Sequence, residues 1–232
     1  NIYGENIDEI KSKFSKVAVT GFTPTLAIIF CSAMQDRKQL IDFFNEKQVD
    51  VYGSTTAGEI IDSEVMEHST VVMLLDMKRE NYKIFYEESA DTYKVSNDLA
   101  KFAKTTFSNP SVIVISSGLT IDAEQIIKGV QDFDNTIPLY GGLAGDDLTM
   151  KASYVFSNNY ESSNGLIALV IDNDTVNVKG LATSGWDNIG VEKTITKSEG
   201  NIVYTIDDEP AVDVFVKFFQ FTESVDNRSE II

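Results

Sequence analysis

The sequence is poor in the side chains from which reactive sites are usually built. It holds one cysteine (Cys31), one histidine (His68) and one tryptophan (Trp186). A lone cysteine forms no internal disulfide, so cysteine usage does not call for an oxidising compartment. Cys31 reads as a small buried hydrophobe rather than a nucleophile. One histidine with one cysteine excludes the usual zinc-ligand sets. His68 has no nucleophile beside it, so nothing proposes a Ser-His-Asp arrangement. Cations are scarce too: 19 lysines and arginines face 36 aspartates and glutamates, a formal net charge of −17. That balance disfavours a nucleic-acid backbone or an anionic bilayer as partner, because both are held through lysine and arginine. No apolar run approaches the ~20 residues that span a bilayer. The longest runs, such as Val112-Ile113-Val114-Ile115, are strand-sized.

What is present is ordinary globular material: 43% hydrophobic and 24% charged residues over 232 positions, enough for one large domain or two small ones. The chain begins at Asn1 without methionine or a signal-peptide pattern, so it is expected to be a piece of a longer polypeptide. Ile7, Ile10 and Phe14 at helical spacing predict a short amphipathic helix over 5–15. Leu26 to Cys31 reads as a strand buried on both faces. Asp36 caps a predicted helix carrying Leu40, Ile41, Phe43 and Phe44. Thr70 to Leu75, a polar turn at 78–81 and Tyr82 to Tyr86 look like a hairpin. The order then recurs: a helix over about 95–107, a buried strand from Val112, a helix from Asp122 and a strand at Pro138-Leu139-Tyr140. Leu166 to Ile171 turns at Asp172-Asn173-Asp174 and returns as Thr175 to Leu181. Thr194 to Tyr204 reads as a further hairpin. Ala211, Val214, Phe215, Phe218 and Phe219 stripe a helix opened by Asp208-Glu209-Pro210, and such a stripe needs a covering surface. A short polar tail starts at Glu223. Trp186 is expected in packing rather than as a ligand platform.

Two glycine-built stretches stand out. Tyr140-Gly141-Gly142-Leu143-Ala144-Gly145-Asp146-Asp147 ends in adjacent carboxylates, and Tyr52-Gly53-Ser54-Thr55-Thr56-Ala57-Gly58-Glu59 is its upstream partner. Nearly the same number of residues separates these stretches as separates the two buried strands, which is what an internal repeat produces. Neither carries the G-x-G-x-x-G fingerprint or a G-K-[ST] phosphate loop. Their glycines alone read as tight connections after strands. Their neighbours give a second reading: the hydroxyls of Ser54, Thr55 and Thr56, the backbone of Gly141 and Gly142, and the carboxylates of Glu59, Asp146 and Asp147. Backbone N–H groups in a glycine turn hold small anions, and nearby carboxylates hold an ammonium, so the set suits a zwitterion such as an amino acid. Asp146-Asp147 could also take magnesium or calcium, although carboxylates adjacent in sequence usually point different ways. Ser116-Ser117-Gly118, beyond the second buried strand, could border the same pocket.

Gly53-Ser54-Thr55-Thr56-Ala57-Gly58-Glu59-Ile60 and Pro138 through Asp147 resemble the two hallmark stretches of the FIST N domain. The tail is similar as well, in Gly185-Trp186 through Gly190, Ile195 through Asn201 and Asp207 through Ala211. The resemblance spans nearly the whole chain. It implies a sensory input domain proposed to bind small ligands such as amino acids, normally followed by a FIST C domain. In bacteria it implies partnership with histidine kinases, diguanylate cyclases or chemotaxis-type receptors. It carries over no catalytic residues and no cofactor.

The leading expectation is a cytoplasmic, non-enzymatic domain binding an amino acid or small carboxylate and passing the signal to an output module. Its fold is expected to be α/β, with mixed α+β as the alternative. Within a single domain over 1–232, two helix–strand–helix–strand–hairpin units would repeat at about 5–90 and 95–183, their mixed sheets covered by helices. Residues 184–232 would form a C-terminal hairpin and helix leading to a FIST C domain absent from this chain. Ser54, Thr55, Thr56, Glu59, Gly141, Gly142, Asp146 and Asp147 form the candidate ligand site. Two alternatives stand beside it. One is an enzyme using Asp146 or Asp147 as general acid–base, which needs a buried carboxyl with a raised pKa. The other is a protein-interaction module using the 211–219 helix.

Overall fold

Alternation along the apolar strands divides the side chains of the first 180 residues between two kinds of core. In β2 (Leu26–Ser32), Ala27, Ile29 and Cys31 pack toward helices, while Leu26 and Ile28 pack toward a second sheet. In β12 (Gly165–Asp172), Leu166, Ala168 and Val170 face helices, and Ile167, Leu169 and Ile171 face the middle. A strand covered on both faces has no place for a polar alternation, which is why these strands read as continuous apolar runs. The result is four layers, with helices on the outside of two sheets. The computed structural model describes residues 1–17, 21–183, 185, 187–188, 190–200 and 202–219. Trp186, Asn201, the Phe219 side chain and the tail from Glu223 lie outside these described residues.

The first outer layer is α1 (Ile7–Val17) and α2 (Arg37–Glu46), following the short β1 (Ile2–Gly4). Asp36 caps α2 by accepting from the Gln39 N–H at 3.0 Å, an interaction that stabilises a helix start by about 1 kcal/mol. Phe14, Phe43 and Phe44 meet edge to face at centroid distances of 5.3, 5.8 and 5.1 Å. The sheet beneath adds β3 (Asp50–Thr56), β6 (Thr70–Leu75), β10 (Val155–Ser157) and β11 (Tyr160–Ser162), in the order β1-β6-β2-β3-β10-β11. The hairpin β4 (Glu59–Ile61) and β5 (Glu64–Met66) stands apart from it. The facing sheet has the order β7-β12-β8-β9, from β7 (Tyr82–Glu88), β8 (Pro110–Ser117) and β9 (Leu139–Ala144). Helices α3 (Thr92–Thr106) and α4 (Ala123–Asp134) cover its outer side. Each sheet contains one parallel pair, β2 with β3 and β8 with β9, flanked by an antiparallel strand, so the fold is mixed α+β. The Tyr52 hydroxyl ties the sheets by donating to the Ile113 carbonyl at 2.8 Å.

Three expectations are corrected. Thr70–Leu75 and Tyr82–Tyr86 are not a hairpin: β6 pairs with β1 and β2, whereas β7 pairs with β12 in the other sheet. The polar turn is a crossing between sheets, with Thr25 accepting the Met77 N–H at its start. Thr175 to Leu181 does not return as a strand; Val176 and Val178 instead pack against the layer between the sheets. Finally, Gly53, Gly141 and Gly142 lie inside strands rather than in loops.

Residues from Leu181 onward form a second compact unit. In it, β13 (Ile195–Glu199), β14 (Ile202–Ile206) and the two-residue β15 (Glu209–Pro210) make an antiparallel sheet, and α5 (Ala211–Phe219) follows. Glu209 and Pro210 therefore close a strand pair before the helix begins. Val214 on α5 is buried, and Phe215 and Phe218 are partly exposed. No helix among the described residues is long and apolar enough to cross a membrane.

Candidate functional site

The two parallel strands β2 and β3 end side by side, with Ser32 opposite Thr56. The chain leaving β9 comes to this same edge. The Gly145 N–H donates to the Thr55 carbonyl at 2.9 Å, and the Asp147 N–H donates to the Thr56 carbonyl at 3.3 Å. The Thr55 hydroxyl answers by donating to the Gly145 carbonyl at 2.6 Å. So close an approach needs glycine: a Cβ on Gly145 would lie 2.7 Å from the Ala57 nitrogen and 3.0 Å from the Thr56 carbonyl carbon.

Three carboxylates belong to this edge and the segments that meet it, each held by the chain itself. Asp147 Oδ2 accepts from the Ser32 hydroxyl at 2.8 Å and the Ala33 N–H at 2.9 Å. Its other oxygen, Oδ1, has no hydrogen-bond partner among the described residues, and the residue is half-buried. Glu59 is 1% exposed; it accepts from the Thr56 hydroxyl at 2.7 Å, and from the Ser69 hydroxyl at 2.9 Å and N–H at 3.1 Å. Asp146 is 4% exposed and closes its own loop, accepting from the Lys151 N–H at 2.6 Å and the Thr149 hydroxyl at 2.8 Å. Burial alone would raise its pKa, but those donors and the Met150 and Ala152 N–H groups outweigh it and hold the carboxyl below its ordinary value. A general acid–base needs the opposite shift, so the geometry of Asp146 argues against that role.

The eight sequence-predicted residues fall into two groups. Thr55, Thr56, Glu59, Asp146 and Asp147 belong to the hydrogen-bonded edge just described, with Ser54 buried in β3 beside it. Gly141 and Gly142 lie elsewhere, lining an apolar cleft of about 180 Å³ with Val114, Ile126, Ile127 and Leu143 between β9 and α4. Gly141 has φ +142°, and a Cβ there would lie 1.8 Å from the Val114 carbonyl oxygen, so its glycine serves strand contact. Ser117 and Gly118 are likewise occupied, Ser117 with the Gly165 carbonyl and Gly118 with the Ser153 hydroxyl. Burial pushes the Cys31 thiol up, well away from a nucleophilic thiolate.

Sequence reasoning missed Arg37. Its Nη1 donates to the Ala33 carbonyl at 3.0 Å, its guanidinium lies 4.0 Å over the Tyr154 ring, and Glu161 pairs with it at 3.0 Å. Ala33 thus carries Asp147 on its nitrogen and Arg37 on its oxygen. Arg37 opens a helix like many solvent-facing arginines, and no local pattern distinguishes it.

The model of the FIST N domain family matches residues 25–209 of the chain. No curated protein matches it.

Proposed function

The chain belongs to the FIST N domain family, a family of sensory domains, and on that premise we propose that it binds a small ligand carrying an ammonium group, an amino acid above all. The ligand would sit where the 145–147 segment meets the ends of β2 and β3. The observation that carries this reading is the anchored Asp147, whose Oδ1 has no partner among the described residues, beside backbone fixed on both sides. An ammonium accepted there replaces water with a charge-assisted hydrogen bond. Thr56 and Glu59 act as its supports rather than as direct ligands, because their polar atoms are already engaged. In this reading the domain is cytoplasmic and duplicated in origin. It passes occupancy through a FIST C domain to an output module such as a histidine kinase, a diguanylate cyclase or a chemotaxis-type receptor.

Thermal denaturation of the full chain with each amino acid and with small carboxylates tests the proposal. A ligand at a hundredfold excess over its Kd stabilises by about 2.7 kcal/mol. The shift should vanish in Asp147→Asn while the unliganded melting temperature stays within a few degrees of the parent. No shift with any amino acid overturns the proposal.

A further inference from the structure

A cavity of about 220 Å³ opens at the other end of β3, with Asp50, Arg79, Tyr82, Lys83, Tyr86 and Asn159 in its lining. Its one lining carboxylate holds two donors on a single oxygen. Asp50 Oδ2 accepts from the Tyr82 hydroxyl at 2.7 Å and from Arg79 Nε at 3.0 Å. Burial, followed by the Asp50 contact, raises the Tyr82 pKa, so the phenol stays a donor. The donors are not used up. Arg79 Nη2 donates to the Gln48 carbonyl, which fixes the guanidinium plane, and Nη1 has no acceptor among the described residues. Lys83 donates once, to the Arg79 carbonyl at 2.7 Å, out of three ammonium hydrogens. Asn159 has no side-chain hydrogen bond among the described residues. Two cations against one paired acid leave a surplus positive charge in a chain whose formal net charge is −17. Tyr86 stacks on Tyr160 at a centroid distance of 4.6 Å and is still 45% exposed.

We propose that this cavity binds a small organic anion, with its carboxylate or phosphate group on Arg79 and Lys83 and its planar part against Tyr86. An arginine whose plane is already fixed loses little entropy on binding, and a lysine beside it adds a second charge-assisted donor. The site is separate from the one at Asp147. Asp50 and Thr56 are the two ends of one strand, which places the sites about 20 Å apart at ~3.3 Å per residue.

The test uses the full chain, with sodium benzoate as a planar carboxylate and inorganic phosphate as the alternative head group. Titrations are followed by calorimetry and by amide chemical shifts around residues 79–86. Saturable binding of at least one probe is expected, with the perturbed amides confined to this end of β3. Lys83→Glu, a change at an exposed side chain, should weaken that binding by at least about tenfold, or 1.4 kcal/mol. Tyr86→Ala should weaken benzoate and leave phosphate unchanged, whereas Asp147→Asn should leave both unchanged. The last arm separates this proposal from the ammonium site, since either can fail alone. No saturable binding of either probe overturns the proposal, as does an affinity that Lys83→Glu leaves intact. Equal losses for both probes in Tyr86→Ala overturn the role given to the ring.

Discussion

Asp146→Ala removes the acceptor around which the 146–151 loop is wound. Two donors, the Lys151 N–H and the Thr149 hydroxyl, share its Oδ2 at 2.6 and 2.8 Å. A hydrogen bond to a charged group contributes about 1.5–3 kcal/mol, but two bonds to one oxygen do not add fully. Water can also reach the freed donors from the exposed flank of the loop, so the expected loss is about 2–4 kcal/mol. At roughly 2–4 °C per kcal/mol for a chain of this size, the melting temperature should fall by about 4–16 °C at pH 7. Asp146→Asn, with its amide oxygen in the place of Oδ2, keeps both bonds in neutral form and should lose about half as much. Acid supplies an independent check. The folded pKa of Asp146 is lowered, so its contribution is fully present above the unfolded value of about 3.9 and is lost as pH falls through the folded value. The gap between parent and Asp146→Ala should therefore be constant from pH 7 to about pH 5 and shrink below about pH 4. Circular dichroism melts across that range read both effects. A variant that melts with the parent at pH 7, or a gap that widens on acidification, would refute the reasoning.

Three further outcomes follow from the same geometry. Gly141→Ala combines φ +142° with a Cβ 1.8 Å from the Val114 carbonyl oxygen. It should lower the urea midpoint by the equivalent of at least about 2 kcal/mol, and a parent-like midpoint would contradict the register of β8 with β9. The Cys31 thiol, buried and raised in pKa, should react with a disulfide reagent at pH 8 only on the timescale of unfolding; stoichiometric labelling of the native chain within seconds would show the site is open. Asp134, held by the Thr136 hydroxyl and N–H and then by Lys104, should titrate at about 2 in carboxyl NMR, and Thr136→Ala should bring it back toward the ordinary aspartate range. Titration of the parent at the ordinary value would contradict that arrangement.

Much of this protein could be read in order along the chain, because the signals concerned are local. Asp36 before Leu40, Phe43 and Phe44 places the start and the buried face of α2, since a cap and a helical period involve only neighbours within two turns. The apolar runs at Leu26 and Val112 announced buried strands, and the charge balance spoke against a nucleic-acid backbone or an anionic bilayer as partner. The paired glycine-acid stretches marked the family, whose sensory character the match over residues 25–209 supports.

Tertiary structure alone decided the rest, because it depends on which distant groups compete for the same partner. A polar turn permits a hairpin, yet β6 and β7 found better-covered places in different sheets. Glycine composition cannot say whether a residue frees a loop or admits a carbonyl, and Gly141 does the second. Adjacent carboxylates look alike in a sequence. Once folded, Asp146 turns inward to its own loop and Asp147 reaches back more than a hundred residues to Ser32, leaving one oxygen without a partner among the described residues. Which of two neighbouring acids can meet a ligand is set by the donors each has already taken, and those donors come from strands that only folding brings together.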